Sequence, residues 1–244
     1  MSVEDYLLQK LKTGALHMTL IDPASQDPAQ AGKIARDACS LGTDAIMIGG
    51  STGVTQENLD QTALEIKDNS DVPSIYFPSG AEAMSPHCDA IYFMSMLNSR
   101  SLDWVIREQV AGAPAVKKLG LEPLSMGYII VAPGMKVGEV GQADVISRDD
   151  PKLAASYAMA GELLGMRSIY LEAGSGAPAH VPSDMISYVK KSISVPLIVG
   201  GGIRDAEAAK EVKDAGADVI VTGTIIEENG YLSKLESIIK SIKT

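Results

Sequence analysis

The stretch "PLIVGGGIRDAEAAKEVKDAGADVIVTGT" (196–224) reads as a strand, a helix and a second strand in direct succession. "PLIVGGG" (196–202) and "VIVTGT" (219–224) are apolar up to their glycines, as strands covered on both faces are. Between them, "DAEAAKEVKDAG" (205–216) carries helical periodicity and closes on a glycine suited to the C′ position. This is a βαβ unit, and it decides the fold because the rest of the chain repeats it.

Six further apolar runs precede it: "HMTLID" (17–22), "AIMIGG" (45–50), "PSIYFP" (73–78), "AIYFMSM" (90–96), "YIIVAPG" (128–134) and "SIYLEAG" (168–174). Helical periodicity separates several of them, in "DPAQAGKIARDACSLG" (27–42), "SLDWVIREQVAGAPAVKKLG" (101–120) and "PKLAASYAMAGELLG" (151–165). Eight strands with following helices predict an α/β protein with a single-domain (β/α)8 TIM barrel over residues 1–244. A doubly wound open sheet is the competitor, but its usual five or six strands would leave two runs unplaced. The third crossover has the weakest helix signal, because "SGAEAMSPHC" (79–88) is short and contains a proline. Core packing accounts for most of the Met, Ile and Val content, and Met94 and Met96 are read as core residues.

The chain has 244 residues, 31 acidic against 21 basic, and a formal charge of −10. That charge opposes the counterion-release binding on which nucleic-acid affinity depends, so no nucleic-acid partner is expected. An anion site here must rely on backbone N–H groups, helix N-termini or a metal. No apolar run approaches the roughly 20 residues of a membrane span. The start "MSVEDYLLQKLKTG" reads as an amphipathic helix rather than a signal peptide, which makes the cytoplasm the expected compartment. Cys39 and Cys88 lack metal-ligand spacing and are read as packing residues.

Barrel enzymes place their chemistry at the C-terminal ends of the strands, often with phosphate held after strands seven and eight. "GGGIRD" (200–205) and "TGT" (222–224) supply glycines at both places, where backbone N–H groups can approach an anion without using a lysine. Each glycine alone could simply make a tight turn; the pair at the two expected ends favours phosphate. Asp22 ends the first strand and Ser51 follows the second, giving two hard oxygen ligands on one rim that suit Mg²⁺. A helix N-cap for Asp22 and a turn hydroxyl for Ser51 explain these residues equally well. Tyr170 and Glu172 share a strand face, and a carboxylate beside a phosphate clamp suits either binding the hydroxyls of a phosphorylated polyol or taking a proton from one. His17, in an apolar strand, reads as a satisfied core histidine, and His180 as solvent-facing.

Taken together, "HMTLIDP", "IGGST", "LNSR", "KKLGLEP", "MGYIIVAPG", "YLEAGSGAP", "VGGGIR" and "TGT" resemble the geranylgeranylglyceryl phosphate synthases over nearly the whole chain. The resemblance implies a Mg²⁺-dependent prenyltransferase of archaeal ether-lipid synthesis, joining sn-glycerol 1-phosphate to geranylgeranyl diphosphate. It implies that Tyr170, Leu171, Glu172, Ala173, Gly174, Ser175, Gly176, Gly201, Gly202, Gly223 and Thr224 hold glycerol phosphate. Asp22 and Ser51 match its metal positions, and Glu172 faces the glycerol hydroxyls as the candidate base. The family's bacterial branch carries a lysine near the first-strand aspartate, where this chain has "TLIDP".

A twenty-carbon chain needs a long apolar groove, for which residues around strands two to four are candidates. Trp104 is read as packing on the barrel, bordering that groove or anchoring an oligomer contact. Arg100 is read as an ion-pair residue rather than a diphosphate contact. A homo-oligomer is expected, with at most peripheral membrane contact. The phosphate glycines alone leave two other readings open: a metal-independent phosphosugar isomerase, and a phosphate-ligand sensor without catalysis.

Overall fold

A computed structural model describes residues 1–228 and 230–244. Its strands are β1 (Leu16–Ile21), β2 (Ala45–Ile48), β3 (Ser74–Tyr76), β4 (Ala90–Met96), β5 (Glu122–Ile130), β6 (Ser168–Glu172), β7 (Leu197–Gly200) and β8 (Val219–Thr222). They pair in parallel in sequence order and close from β8 back to β1, with Thr19 opposite Thr222. The helices are α1 (Val3–Leu11), α2 (Pro28–Leu41), α3 (Gln56–Asn69), α4 (Glu108–Leu119), α5 (Met135–Val140), α6 (Pro151–Leu163), α7 (Ser183–Ser192), α8 (Ala206–Asp214) and α9 (Tyr231–Lys243).

Alternation along each strand divides the apolar side chains into two bodies. Leu16, Met18, Met47, Tyr92, Tyr128, Tyr170, Val219 and Val221 fill the barrel interior. Their neighbours of opposite parity, including Ile21, Ile46, Leu171 and Ile220, pack under the helices. Helix α1 closes the N-terminal mouth by packing Val3, Leu7 and Leu11 on the interior body. The carboxylate of Glu122 accepts the free N–H groups of Val3 and Glu4 at 2.6 and 2.9 Å, satisfying donors that a helix start leaves unpaired.

Two expectations about elements need correction. Strand β5 begins at Glu122 rather than near Tyr128, because its pairing with β4 already starts at Ala90 opposite Glu122. Pro123 and Gly127 lie within this strand and obscure it in the sequence. The third crossover, residues 77–89, contains no helix. On the far side of that gap, Asp103–Arg107 forms a π-helical turn leading into α4 and carrying Trp104.

Candidate active site

Three cavities at the C-terminal mouth share walls. The first, of about 420 Å³, is lined by Tyr170, Glu172, Ser175, Gly176 and the turns at Gly201–Arg204 and Thr222–Thr224. The second, of about 880 Å³, shares Glu172, Ser175, Gly223 and Thr224 with the first and adds Asp22, Ser51 and Glu227. The third, of about 510 Å³, shares Met94, Met96, Trp104 and Tyr128 with the second. It runs out between the helix-free crossover and α4, past Ala81, Met84 and Gly112. The route therefore passes from glycine turns, through a carboxylate-lined centre, to an apolar side groove.

Glu172 stands where the first two cavities meet, with only 6 % of its surface exposed. Its Oε1 accepts the N–H of Gly174 at 2.6 Å, and its Oε2 accepts the phenol of Tyr128 at 3.4 Å. Burial pushes its carboxyl pKa above the ordinary range, and these hydrogen bonds pull against that shift. The phenols of Tyr128 and Tyr170 are held protonated by burial and then by the charge of Glu172, so both serve as neutral donors. Phe77 stacks on Tyr170 at 5.8 Å and meets Tyr128 edge-on at 5.4 Å, giving the mouth an aromatic floor.

Glycine is required beside both acids. Gly201 has φ +80°, and a β-carbon there would overlap Glu172 Oε1 and stand 2.6 Å from the Gly174 nitrogen. A β-carbon on Gly50 would overlap the carboxylate of Asp22. Asp22 accepts the Ala24 N–H at 2.8 Å and the Ser25 hydroxyl at 3.4 Å, and burial raises its pKa. It does not cap the following helix: Asp27 does, accepting the Gln30 N–H at 2.9 Å.

Not every sequence candidate turns its side chain to the cavities. Leu171 and Ala173 point outward into the helix-covered core. The Ser175 and Thr224 hydroxyls share a hydrogen bond of 3.2 Å in the wall of the first cavity. Met96 belongs to the interior core as expected, with Met94 packed against it, and both also line the centre and the side groove, which Trp104 borders. Arg100 pairs with Asp144 at 3.3 Å on the exposed surface. His180, expected to face solvent, is mostly covered and bonds to Glu211 at 3.1 Å. Its peptide lies against Gly202, where a β-carbon would stand 2.7 Å from the His180 nitrogen.

Three lining residues were missed in the sequence. Arg204 brings a guanidinium to the first cavity, donating to the Gly176 carbonyl at 2.7 Å. Its signal was its place after the glycine turn. Tyr128 reads as one more apolar strand residue. Glu227 follows the last strand in an acidic run; burial and then the charge of Asp22 raise its pKa.

Glycine turns after β7 and β8 of a closed eight-stranded barrel define a phosphate-binding TIM barrel. The chain belongs to the PcrB family, whose sequence profile matches residues 8–244. It is 51% identical over 245 residues to a geranylgeranylglyceryl phosphate synthase of Thermococcus sibiricus, covering 99% of this chain and 96% of that protein. The Methanococcoides burtonii enzyme of the same name is 52% identical, with 100% of both chains covered. The fold superposes with a TM-score of 0.96 on (S)-3-O-geranylgeranylglyceryl phosphate synthase from Thermoplasma acidophilum in complex with sn-glycerol-1-phosphate. That protein is 46% identical, with 100% of this chain and 99% of that one covered.

Proposed function

We propose that the protein transfers a geranylgeranyl group from its diphosphate to the C3 hydroxyl of sn-glycerol 1-phosphate, releasing diphosphate. The observation that carries this reading is the three-part cavity: a glycine-lined pocket, a carboxylate-lined centre and an apolar side groove in one course. A phosphosugar isomerase would need the first part and has no use for the third.

Glycerol phosphate would place its phosphate on the Gly201–Gly202 and Gly223–Thr224 turns, near Arg204, and its hydroxyls toward Glu172. The prenyl tail would follow Met94, Met96 and Trp104 outward. As the bond from prenyl C1 to the diphosphate oxygen breaks, the C3 oxygen bonds to C1 and its proton passes to Glu172. A carboxyl group with a raised pKa is better matched to that proton near neutral pH than an ordinary glutamate.

Lysine and arginine are absent from the residues lining the central cavity, which has Asp22, Glu172 and Glu227 in its wall. A diphosphate entering there needs a cation, and the hard oxygens of Asp22 and Ser51 fit Mg²⁺. Among the described residues no three His, Cys, Asp or Glu side chains form a ready metal cluster, so diphosphate oxygens and water would complete the coordination. When bound, Mg²⁺ would neutralise the leaving diphosphate.

We also expect a homo-oligomer acting in the cytoplasm, with exposed Leu163 and Leu164 at the end of α6 offering apolar surface for contact between copies. Among the described residues no helix is long and apolar enough to cross a membrane.

The deciding test is transfer of label from radiolabelled glycerol 1-phosphate into organic-extractable product, with geranylgeranyl diphosphate present and with or without Mg²⁺. Mg²⁺-dependent transfer is expected. Active-site ligand binding without transfer under either condition would overturn the assignment.

A further inference from the structure

We infer that Glu227 is a further protein ligand of the divalent cation in the central cavity, approaching from β8 while Ser51 approaches from β2, with Asp22 between them. This rests on the metal-assisted reading above and adds a residue that the sequence pattern left unassigned.

The placement follows from barrel closure. Strand β8 pairs with β1, and Thr222 lies opposite Thr19, so the turn leaving β8 emerges beside the end of β1 that carries Asp22. On the other side, β2 pairs with β1 through Ile48 opposite Ile21 and leads to Gly50 and Ser51. Three neighbouring strand ends thus bring Glu227, Asp22 and Ser51 into the wall of one cavity.

The turn itself aims Glu227. Thr224–Glu227 is a 3₁₀ turn, in which residues three apart stack on the same face. Thr224 approaches the Ser175 hydroxyl at 3.2 Å, and Glu227, three residues on, lies in the wall of the central cavity. The next acid behaves differently: Glu228 turns to Lys234 and pairs with it at 2.8 Å. One acid of the pair is held by a lysine, and the other, itself exposed, borders the central cavity.

Asp22 and Glu227 line one cavity, and two ionised carboxylates there repel each other. A divalent cation between them relieves that repulsion, and carboxylate oxygens are the hard ligands it prefers. The same four-residue turn then touches both substrates: Thr224 on the glycerol phosphate side and Glu227 on the diphosphate side.

The test uses Mn²⁺, read by electron paramagnetic resonance, with inorganic diphosphate as the anion and the full-length chain. Affinities are compared for wild type, Glu227→Gln and Asp22→Asn, and glycerol 1-phosphate binding without metal serves as the folding control. Loss of a ligand should weaken Mn²⁺ binding by about tenfold or more. Glu227→Gln is expected to show that loss while binding glycerol 1-phosphate within about twofold of wild type. If Glu227→Gln holds Mn²⁺ as wild type does and Asp22→Asn does not, the role of Glu227 is overturned and the Asp22 site stands. If both variants bind as wild type, the metal reading itself falls along with this inference.

Discussion

Gly201 and Glu172 share a space that only one of them can fill: a β-carbon on Gly201 would overlap the carboxylate oxygen that accepts the Gly174 N–H. The glycine turn proposed to receive phosphate is therefore also what lets the acid sit where the two cavities meet.

Gly201→Ala should fail on two counts. A left-handed φ costs a non-glycine residue roughly 1–2 kcal/mol, which at this chain length lowers Tm by about 2–8 °C. The added methyl also displaces Glu172, so affinity for glycerol 1-phosphate should fall alongside turnover. A calorimetric titration showing unchanged affinity would contradict the shared-space argument.

Glu172→Gln keeps the shape and removes the proposed base. Turnover should drop by about 10²-fold or more, the usual worth of a positioned proton acceptor. In wild type, the acid limb of kcat/KM should lie above the ordinary glutamate range, and the residual activity of the variant should lack that limb. A pH profile that is the same in both proteins would assign the limb to another group.

The same substitution should stabilise the fold. Because the folded pKa of Glu172 is raised, the native state holds more protons than the unfolded state between the ordinary glutamate value and the raised one. Stability contributed by the protonated acid is therefore lost as pH climbs through that interval. Glu172→Gln should melt higher than wild type at neutral pH, and the gap should close as the pH falls toward 4. Melting curves across that range test the sign directly.

His17 acts in the opposite sense. It is fully buried, with Nδ1 3.0 Å from Thr43 and Nε2 2.9 Å from Thr222, and burial, then Lys243, lowers its pKa to about 3. Between about 3 and the unfolded value near 6.5, the unfolded chain takes up a proton that the folded chain refuses. Stability present above 6.5 is therefore lost on acidification, at about 1.4 kcal/mol per pH unit. His17→Gln should flatten that part of the stability curve, which denaturant titrations at pH 4, 5, 6 and 7 would show.

Ala81 lines the outer part of the side groove. Ala81→Trp should shorten the tail the groove accepts, lowering turnover with the twenty-carbon diphosphate far more than with a fifteen-carbon one. Equal losses with both would place the tail elsewhere.

Parity along each strand made the barrel and much of its mouth legible, since it tells which residues face inward without any knowledge of distance. It paired Tyr170 with Glu172 and placed Asp22 on the rim. The start of β5 was hidden because Pro123 and Gly127 violate strand composition, and only pairing with β4 restores them. Glu227 was hidden for a different reason: its importance depends on β8 meeting β1, a contact made when the ends of the sheet join across about 200 residues of chain. Proline in "SGAEAMSPHC" did mark the missing helix, but not what its absence uncovers.

That bare crossover is what leaves room for the side groove. Glycine turns and acids line the mouth of the barrel, whereas the apolar groove runs out between the helix-free crossover and α4. On the proposed reading, head and tail of the substrate are handled in separate compartments of the mouth. The bore of the barrel can stay fixed by its eight strands while the port alone is reshaped, so selection can tune tail length without disturbing the chemistry at the centre.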